Sequence, residues 1–332
     1  MVENRWKIHK FGGSSLADAE CFRRVAALIL HEPDTRIGVV VSAMGGMTDA
    51  LINLAVLAEQ DDDRFFDELH AVGERYSTTA RALLDGRVLV SVLDAWGQDA
   101  DDIRDVLKAI ALVRSAPQRS RDVVAGYGEI WSARLLAACL EQASPARGGT
   151  WIDARDVVTV HQTELGPSVL WEASHAKFAE VMPSDFAAIA VITGFIATDE
   201  DGLQTTLGRN GSDYSAAIFA ALSKASELSI WTDVDGVMSA DPRRVPEAQV
   251  IDQLTYNEAM ELAYFGANVI HPQTLGPAVD NDIPVIIRNS HNPSHPGSRI
   301  GQQAERIDNI KGITAIGGMA LVNLEGSGMI GV

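Results

Sequence analysis

Cysteine occurs only twice in the 332 residues, as Cys21 and Cys139. Two thiols in apolar, helix-like stretches exclude a disulfide framework and are expected to be buried and free, in a reducing compartment. Basic residues are outnumbered, with 27 Lys and Arg against 45 Asp and Glu and a net charge of −18. So acidic a surface argues against nucleic acid and anionic membranes as partners, although a nucleotide can still bind at a local positive site. No charged-then-apolar leader opens the chain and no apolar run approaches a membrane span, so a cytoplasmic protein is expected. The signature G-x-x-x-x-G-K-[ST] is missing. Gly126-Tyr127-Gly128 lacks the third glycine of a dinucleotide fingerprint and follows no clear strand. No convincing His–acid pair stands among the motifs.

What is present is an ample apolar fraction, 46%, enough for one large or two medium α/β domains. Ile37–Val41, Ala188–Ile192, Leu228–Trp231 and Val285–Ile287 read as buried strands of a parallel sheet. Helical patterns lie between them, over Leu16–Leu30, Asp49–Glu59, Arg64–Leu84, Asp101–Val113, Ile130–Glu141 and Ser212–Leu222. The stretch from Arg64 to Glu141 predicts a helical excursion beside an α/β sandwich. Thr255 with Glu258 forms a capping box that starts a helix running to about Tyr264. Asp61-Asp62-Asp63 reads as a solvated helix start, and Ser115–Ser120, with Pro117, as a loop. The turn-rich His291–Gly297 suggests a boundary, and Gly312–Ile316 and Met319–Leu324 two short strands of a region expected to continue beyond Val332.

Several polar loops follow the strands. Lys10-Phe11-Gly12-Gly13-Ser14-Ser15 places a lysine, two glycines and two serines between a strand and a helix. The glycines admit a ligand close to the backbone, and N–H groups at the helix start can face an anion. The same residues also suit a plain tight turn. Val39–Thr48 repeats the strand, glycine loop and helix, with Thr48 either capping that helix or serving a ligand. Glu129 follows the Gly126–Gly128 glycines at an expected helix start, where it either holds an ammonium group or compensates the helix dipole. In Thr205–Asp213, Arg209 lies between glycines with its fork free for a carboxylate, and Ser212 or Asp213 is expected to cap the next helix. Ile230–Arg243 runs from a strand into Thr232-Asp233, a glycine turn and Asp241-Pro242-Arg243. Polar residues just past the carboxyl ends of strands are where open α/β sheets bind ligands.

Taken together, KFGGSS, VVSAMGGMT, the GE of GYGE, TLGRNGSDYSAA, WTDVDGVMSADPR and YFGANVIHP resemble aspartate kinases of the amino-acid kinase family, in order and spacing, from Trp6 to about Ile300. GRNGSDYSAA with WTDVDGV looks most like the kinase half of bifunctional aspartokinase–homoserine dehydrogenases. The resemblance implies a three-layer αβα sandwich with a mainly parallel central sheet, of the carbamate-kinase type. It implies a catalytic domain over 1–300 and the start of an ACT-type regulatory region over 301–332, with little feedback inhibition expected of the chain. It also implies ATP-dependent phosphorylation of the β-carboxylate of L-aspartate, the first step towards lysine, threonine and methionine, with Mg²⁺ carried mainly on ATP and a homodimer or higher homo-oligomer.

Site roles follow by match. Lys10 resembles the family's catalytic lysine and Asp213 the aspartate that orients it. Gly12, Gly13 and Ser14 would supply the phosphate loop, with Thr232, Asp233 and Arg243 at the nucleotide. Ser42, Thr48, Glu129, Arg209, Gly211 and Ser212 would form the aspartate site. The chain departs from the common pattern at Met238, often Tyr, and Asn268, often Lys; both fall near the nucleotide in the resemblance. His271 reads as a helix-boundary residue. The alternatives are another amino-acid kinase, acting on glutamate, acetylglutamate or a nucleoside monophosphate, and a nucleotide- or amino-acid-binding regulatory module without turnover.

Overall fold

Ile37-Gly38-Val39-Val40-Val41 has no polar face to turn to water, and in the computed structural model it is buried along its whole length. That is the environment of a strand covered on both sides. The structure describes residues 5–33, 36–164, 166–264, 272–305 and 310–315. The chain begins with β1 (Lys7–Phe11), α1 (Ala19–His31), β2 (Ile37–Val41) and α2 (Met47–Glu59). Three long helices follow, α3 (Arg64–Leu83), α4 (Gly86–Val113) and α5 (Gln118–Ala143). Next come β3 (Gly149–Ile152), β4 (Val160–Thr163), β5 (Gly166–Val169), α6 (Trp171–Val181), β6 (Ile189–Thr193), β7 (Ile196–Thr198) and β8 (Gln204–Thr206). The last part holds α7 (Gly211–Ser223), β9 (Glu227–Thr232), β10 (Gln253–Thr255), α8 (Tyr256–Tyr264), α9 (Pro272–Asp280), β11 (Val285–Asn289) and β12 (Ser298–Gly301).

The main sheet has the order β10-β12-β11-β9-β1-β2-β6-β3. Its pairings are parallel except for the antiparallel β11–β12 pair. Helix α7, with α9 against it, covers one face, and α5, flanked by α1 and α2, covers the other. The sheet therefore sits in the middle of three layers. Register aligns the carboxyl ends: Phe11 lies opposite both Val41 and Trp231, Val41 opposite Thr193, and Thr232 opposite Asn289. The loops after β1, β2, β6, β9 and β11 thus leave one edge of the sheet together.

The four expected strands form, within a residue or two. The Thr255–Glu258 capping box forms as well: the Thr255 N–H donates to Glu258 at 2.8 Å and the Glu258 N–H to Thr255 Oγ1 at 3.2 Å. Both cysteines are buried and free.

The helical excursion forms over the expected stretch, from Arg64 to Ala143, but two of its helices begin earlier than expected. α4 begins at Gly86 rather than Asp101, because Val88, Leu89, Val92 and Trp96 pack on the core and outweigh the weak helix propensity of a valine-rich stretch. α5 begins at Gln118, so Gly126–Glu129 lies inside a helix rather than at its entrance. α5 is also long and apolar enough to cross a membrane, contrary to expectation, but 83% of its most apolar stretch is buried, which marks a core helix. His291–Gly297 joins β11 to β12 within one sheet and is no boundary. Residues 310–315 form no strand, although the Ile313 N–H donates to the Ser239 carbonyl at 2.8 Å. Ile316, Met319–Leu324, Asn268 and His271 lie outside the described residues.

Candidate active site

Lys10 sits near the end of β1, and its Nζ lies 2.7 Å from Asp213 Oδ1 in the first turn of α7. Both side chains are mostly withdrawn from solvent. α7 opens at Asn210, in the left-handed region with φ +56° and no side-chain cap bond. Ser212 and Asp213 therefore do not cap the helix, and Asp213 is left to meet Lys10.

The pair opens into a cleft of about 370 Å³ lined by the loops after β1, β2 and β6, the entrance to α7, and α5. Lys10 and Gly13 come from the end of β1 and the loop after it, Ser42 to Gly46 and Thr48 from the loop after β2 and the first turn of α2, and Gly208 to Asp213 from the entrance to α7. Glu129 forms the floor. It reaches the cleft from the middle of α5 because its two glycines let that helix come close. A Cβ on Gly128 would stand 2.8 Å from Ala43 Cβ, and one on Gly126 would stand 2.5 Å from Gln204 Nε2. The two loops also cross tightly, since a Cβ on Gly13 would lie 3.0 Å from the Ala43 carbonyl oxygen.

Glu129 is 3% exposed. Burial pushes its carboxyl up to about 8, against the smaller opposing pull of the Ala43 N–H, Lys10 and the Thr48 hydroxyl. Its Oε2 has no hydrogen-bond partner among the described residues. Thr48 is not a cap either; Gly46, with φ +75°, holds that position, and Thr48 faces Glu129. Arg209 is exposed at the rim and has no ion-pair partner among the described residues. The cleft therefore offers one cation paired with a carboxylate, one cation at its mouth, and one desolvated carboxyl group at its floor. Such a set can receive a molecule carrying both an ammonium and a carboxylate group.

Phe195 also lines this cleft and is not singled out by the sequence. Its φ of +69° is unusual for a bulky residue. Its N–H donates to Ser215 Oγ at 2.9 Å, and its carbonyl accepts from the Leu207 N–H at 2.7 Å. Gly211 leaves room for this ring, since a Cβ there would stand 2.6 Å from Phe195 Cδ2. The one sequence signal is a glycine, Gly194, directly after an apolar strand.

The cleft brings together Lys10, Gly13, Ser42, Thr48, Glu129, Arg209, Gly211, Ser212 and Asp213. Gly12, Ser14, Thr232, Asp233 and Arg243 do not line it. Gly12 lies beside β9, its N–H 3.5 Å from the Trp231 carbonyl, and Ser14 is exposed in the next turn. Thr232 and Asp233 end β9, where Thr232 Oγ1 donates to Asp233 Oδ1 at 3.1 Å. The exposed Arg243 donates to Asp241, two residues away, through Nε and Nη2 at 3.0 Å each. Met238 is half-buried and bridges to Val250. A wider groove of about 640 Å³ on the outer face of α4 is lined by that helix alone and brings no such groups together.

The sequence profile of the amino acid kinase family matches residues 5–289. The chain belongs to the amino acid kinase family. It is 42% identical, over 98% of its length, to the bifunctional aspartokinase/homoserine dehydrogenase 1 (chloroplastic) of Arabidopsis thaliana, and spans 36% of that protein. It is 35% identical over 88% of its length to aspartokinase 2 (chloroplastic) of the same plant, and spans 54% of it. Among solved structures, E. coli aspartokinase III in complex with aspartate and ADP superposes with a TM-score of 0.81 at 31% identity. That match covers 90% of this amino acid kinase chain and 65% of the E. coli chain.

Proposed function

We propose that the chain is an aspartate kinase, moving the γ-phosphoryl group of ATP to the β-carboxylate of L-aspartate to give 4-phospho-L-aspartate. The observation that carries this reading is the single cleft holding the Lys10–Asp213 pair, Glu129 and Arg209. The relatives named as aspartokinases, one of them bound to aspartate and ADP, support it.

The nucleophile needs no activating base, since a side-chain carboxylate with an ordinary pKa near about 3.9 is already ionised at neutral pH. One of its oxygens bonds to the γ-phosphorus. The bond from that phosphorus to the β,γ-bridging oxygen breaks, and its electron pair leaves with ADP. Catalysis is then alignment and neutralisation of spreading charge. Lys10, held by Asp213, supplies a positive charge to the transferring group. The leading N–H groups of the short helical turn Gly13–Leu16 supply oriented donors to the phosphates. Thr232 and Asp233 border the nucleotide from the end of β9.

Arg209 clamps the α-carboxylate and Glu129 pairs with the α-ammonium through its unpartnered Oε2. Ser42, Thr48 and Ser212 fill the polar wall between them. With both α-groups held, the β-carboxylate is the acid that faces ATP. Among the described residues no group of three or more His, Cys, Asp or Glu side chains is placed to hold a metal ion, and Asp213 is engaged with Lys10. That donor set suits magnesium bound chiefly to ATP oxygens, where it would neutralise further phosphate charge. A homo-oligomer belongs to the same proposal, on the resemblance alone.

The deciding assay incubates the chain with Mg-ATP, L-aspartate and hydroxylamine and measures aspartyl hydroxamate. Product from the wild type and none from Lys10→Ala is the expected result. Calorimetric binding of ADP with no product from the wild type would instead favour a binding module without turnover.

A further inference from the structure

Beyond the cleft, three of the edge loops are stitched to one another by polar side chains that the mechanism above does not use. Ser290 follows β11. Its N–H donates to the Thr232 carbonyl at 2.9 Å, and its hydroxyl meets Ser15 Oγ at 2.8 Å in a buried contact. One residue thus touches both the end of β9 and the turn after Gly12-Gly13. Three residues past Thr232, the Asp235 carboxylate gathers two amides from the β11 side. Asn289 Nδ2 donates to Oδ1 at 2.7 Å, and Asn292 Nδ2 lies 3.2 and 3.3 Å from the two oxygens. Asn289 is fixed in turn, because its Oδ1 accepts the His291 N–H at 2.8 Å. Asp235 is half-buried and forms no ion pair among the described residues. A carboxylate held by amide side chains alone fixes geometry without adding a competing cation beside the phosphates.

We infer that Asp235 is a positioning residue for the nucleotide: it locks the loop carrying Thr232 and Asp233 to the loop after β11, and Ser290 carries that lock to the phosphate turn at Ser15. The inference rests on the aspartate-kinase reading for the nucleotide's place at these loops. Its physical content is preorganisation. A loop already held in its bound shape loses less freedom when the ligand arrives. None of the clamp residues lines the cleft with Glu129 and Arg209. Loss of the clamp should therefore fall on ATP and spare aspartate.

The test is kinetic, on the full chain. Asp235→Asn replaces one of the two acceptor oxygens that face the Asn289 and Asn292 amides with a donor NH2 group, and should raise the ATP KM about tenfold while the aspartate KM stays within about twofold. The exchanged pair Asp235→Asn with Asn289→Asp reverses donor and acceptor at the 2.7 Å contact. In it the new amide oxygen at position 235 still accepts from Asn292, and the new carboxylate at position 289 still accepts the His291 N–H. This double variant should return the ATP KM to within about threefold of the wild type, which a merely structural role does not predict. Asn292→Ala, which leaves the Asn289 bond intact, carries the same test if Asp235→Asn does not fold, with a rise of about threefold expected in the ATP KM. An unchanged ATP KM, an equal rise in both KM values, or an exchanged pair as impaired as the single variant would overturn the inference. Calorimetry with ADP separates this result from the aspartate-kinase reading. A wild type that forms no hydroxamate refutes that reading, whereas weakened ADP binding in Asp235→Asn, restored in the exchanged pair, still supports the clamp; unchanged ADP binding overturns it.

Discussion

Burial sets the protonation of Glu129 more than any neighbouring charge does. A carboxyl pushed to about 8 is mostly protonated at neutral pH, while an ammonium placed against Oε2 favours its charged form. Binding of aspartate should then release a proton from Glu129. Between pH 6 and 8 the aspartate KM should fall as pH rises, by at most about tenfold for each step of one in pH, and level off above that range. Glu129→Gln should bind aspartate weakly with no such slope. A pH series of aspartate KM values checks this, and the same slope in both proteins would refute it. Arg209 acts differently, through the planar fork of its guanidinium. Loss of its charged hydrogen bonds, roughly 1.5–3 kcal/mol, predicts a rise in aspartate KM of about 10- to 100-fold in Arg209→Ala. A near-normal KM in that variant would remove Arg209 from the site.

At the scale of elements, two glycines on long helices separate conformational cost from packing. Gly128 in α5 faces the loop after β2, and an added Cβ would stand 2.8 Å from Ala43 Cβ. Neither group can swing away, so Gly128→Ala should destabilise the protein by about 1–3 kcal/mol and raise the aspartate KM by displacing Glu129. Gly97 in α4 has nothing within 4 Å of an added Cβ. Gly97→Ala should therefore stabilise by about 0.5–1 kcal/mol without altering kinetics. Denaturant titration of both variants checks the pair. The contrast also explains what is legible in the sequence. Apolar runs such as Ile37–Val41 and the glycine-rich loops after them can be read directly, because burial on both faces and sharp turns each leave a compositional mark. Gly126-Tyr127-Gly128 suggests a helix entrance because glycine lowers helix propensity. The close approach of α5 to Ala43 and Gln204, which overrides that propensity, involves partners about 80 residues away in each direction. The first half of α4 escapes sequence reading for the same reason. The loop after β6, with Phe195 at positive φ, leaves only the signal of Gly194.

At the scale of the whole molecule, the aspartate-kinase proposal asks a chain of net charge −18 to bind two anionic substrates. It can do so because Lys10 and Arg209 act within a screening length of about 10 Å at 0.1 M salt, inside a cleft whose carboxyl floor is kept largely neutral until an ammonium arrives. That arrangement costs stability. Glu129 has an ordinary value of 4.5 when exposed and about 8 in the folded protein. Between those values the folded state binds more protons than the unfolded state, so this residue makes the protein less stable as pH rises through that window. A difference of one in pKa is worth about 1.4 kcal/mol, so the loss reaches several kcal/mol at pH 8. Glu129→Gln keeps the shape without the charge. Its stability advantage over the wild type should be small at pH 5 and widen steadily to pH 8, as measured by urea titration. Aspartate with ADP should narrow the gap at pH 8, because the ligand rescues the wild-type carboxylate and finds no charge in the variant. A gap that stayed constant with pH would mean that Glu129 does not titrate in this range, and with it the coupling of aspartate binding to proton release would fall.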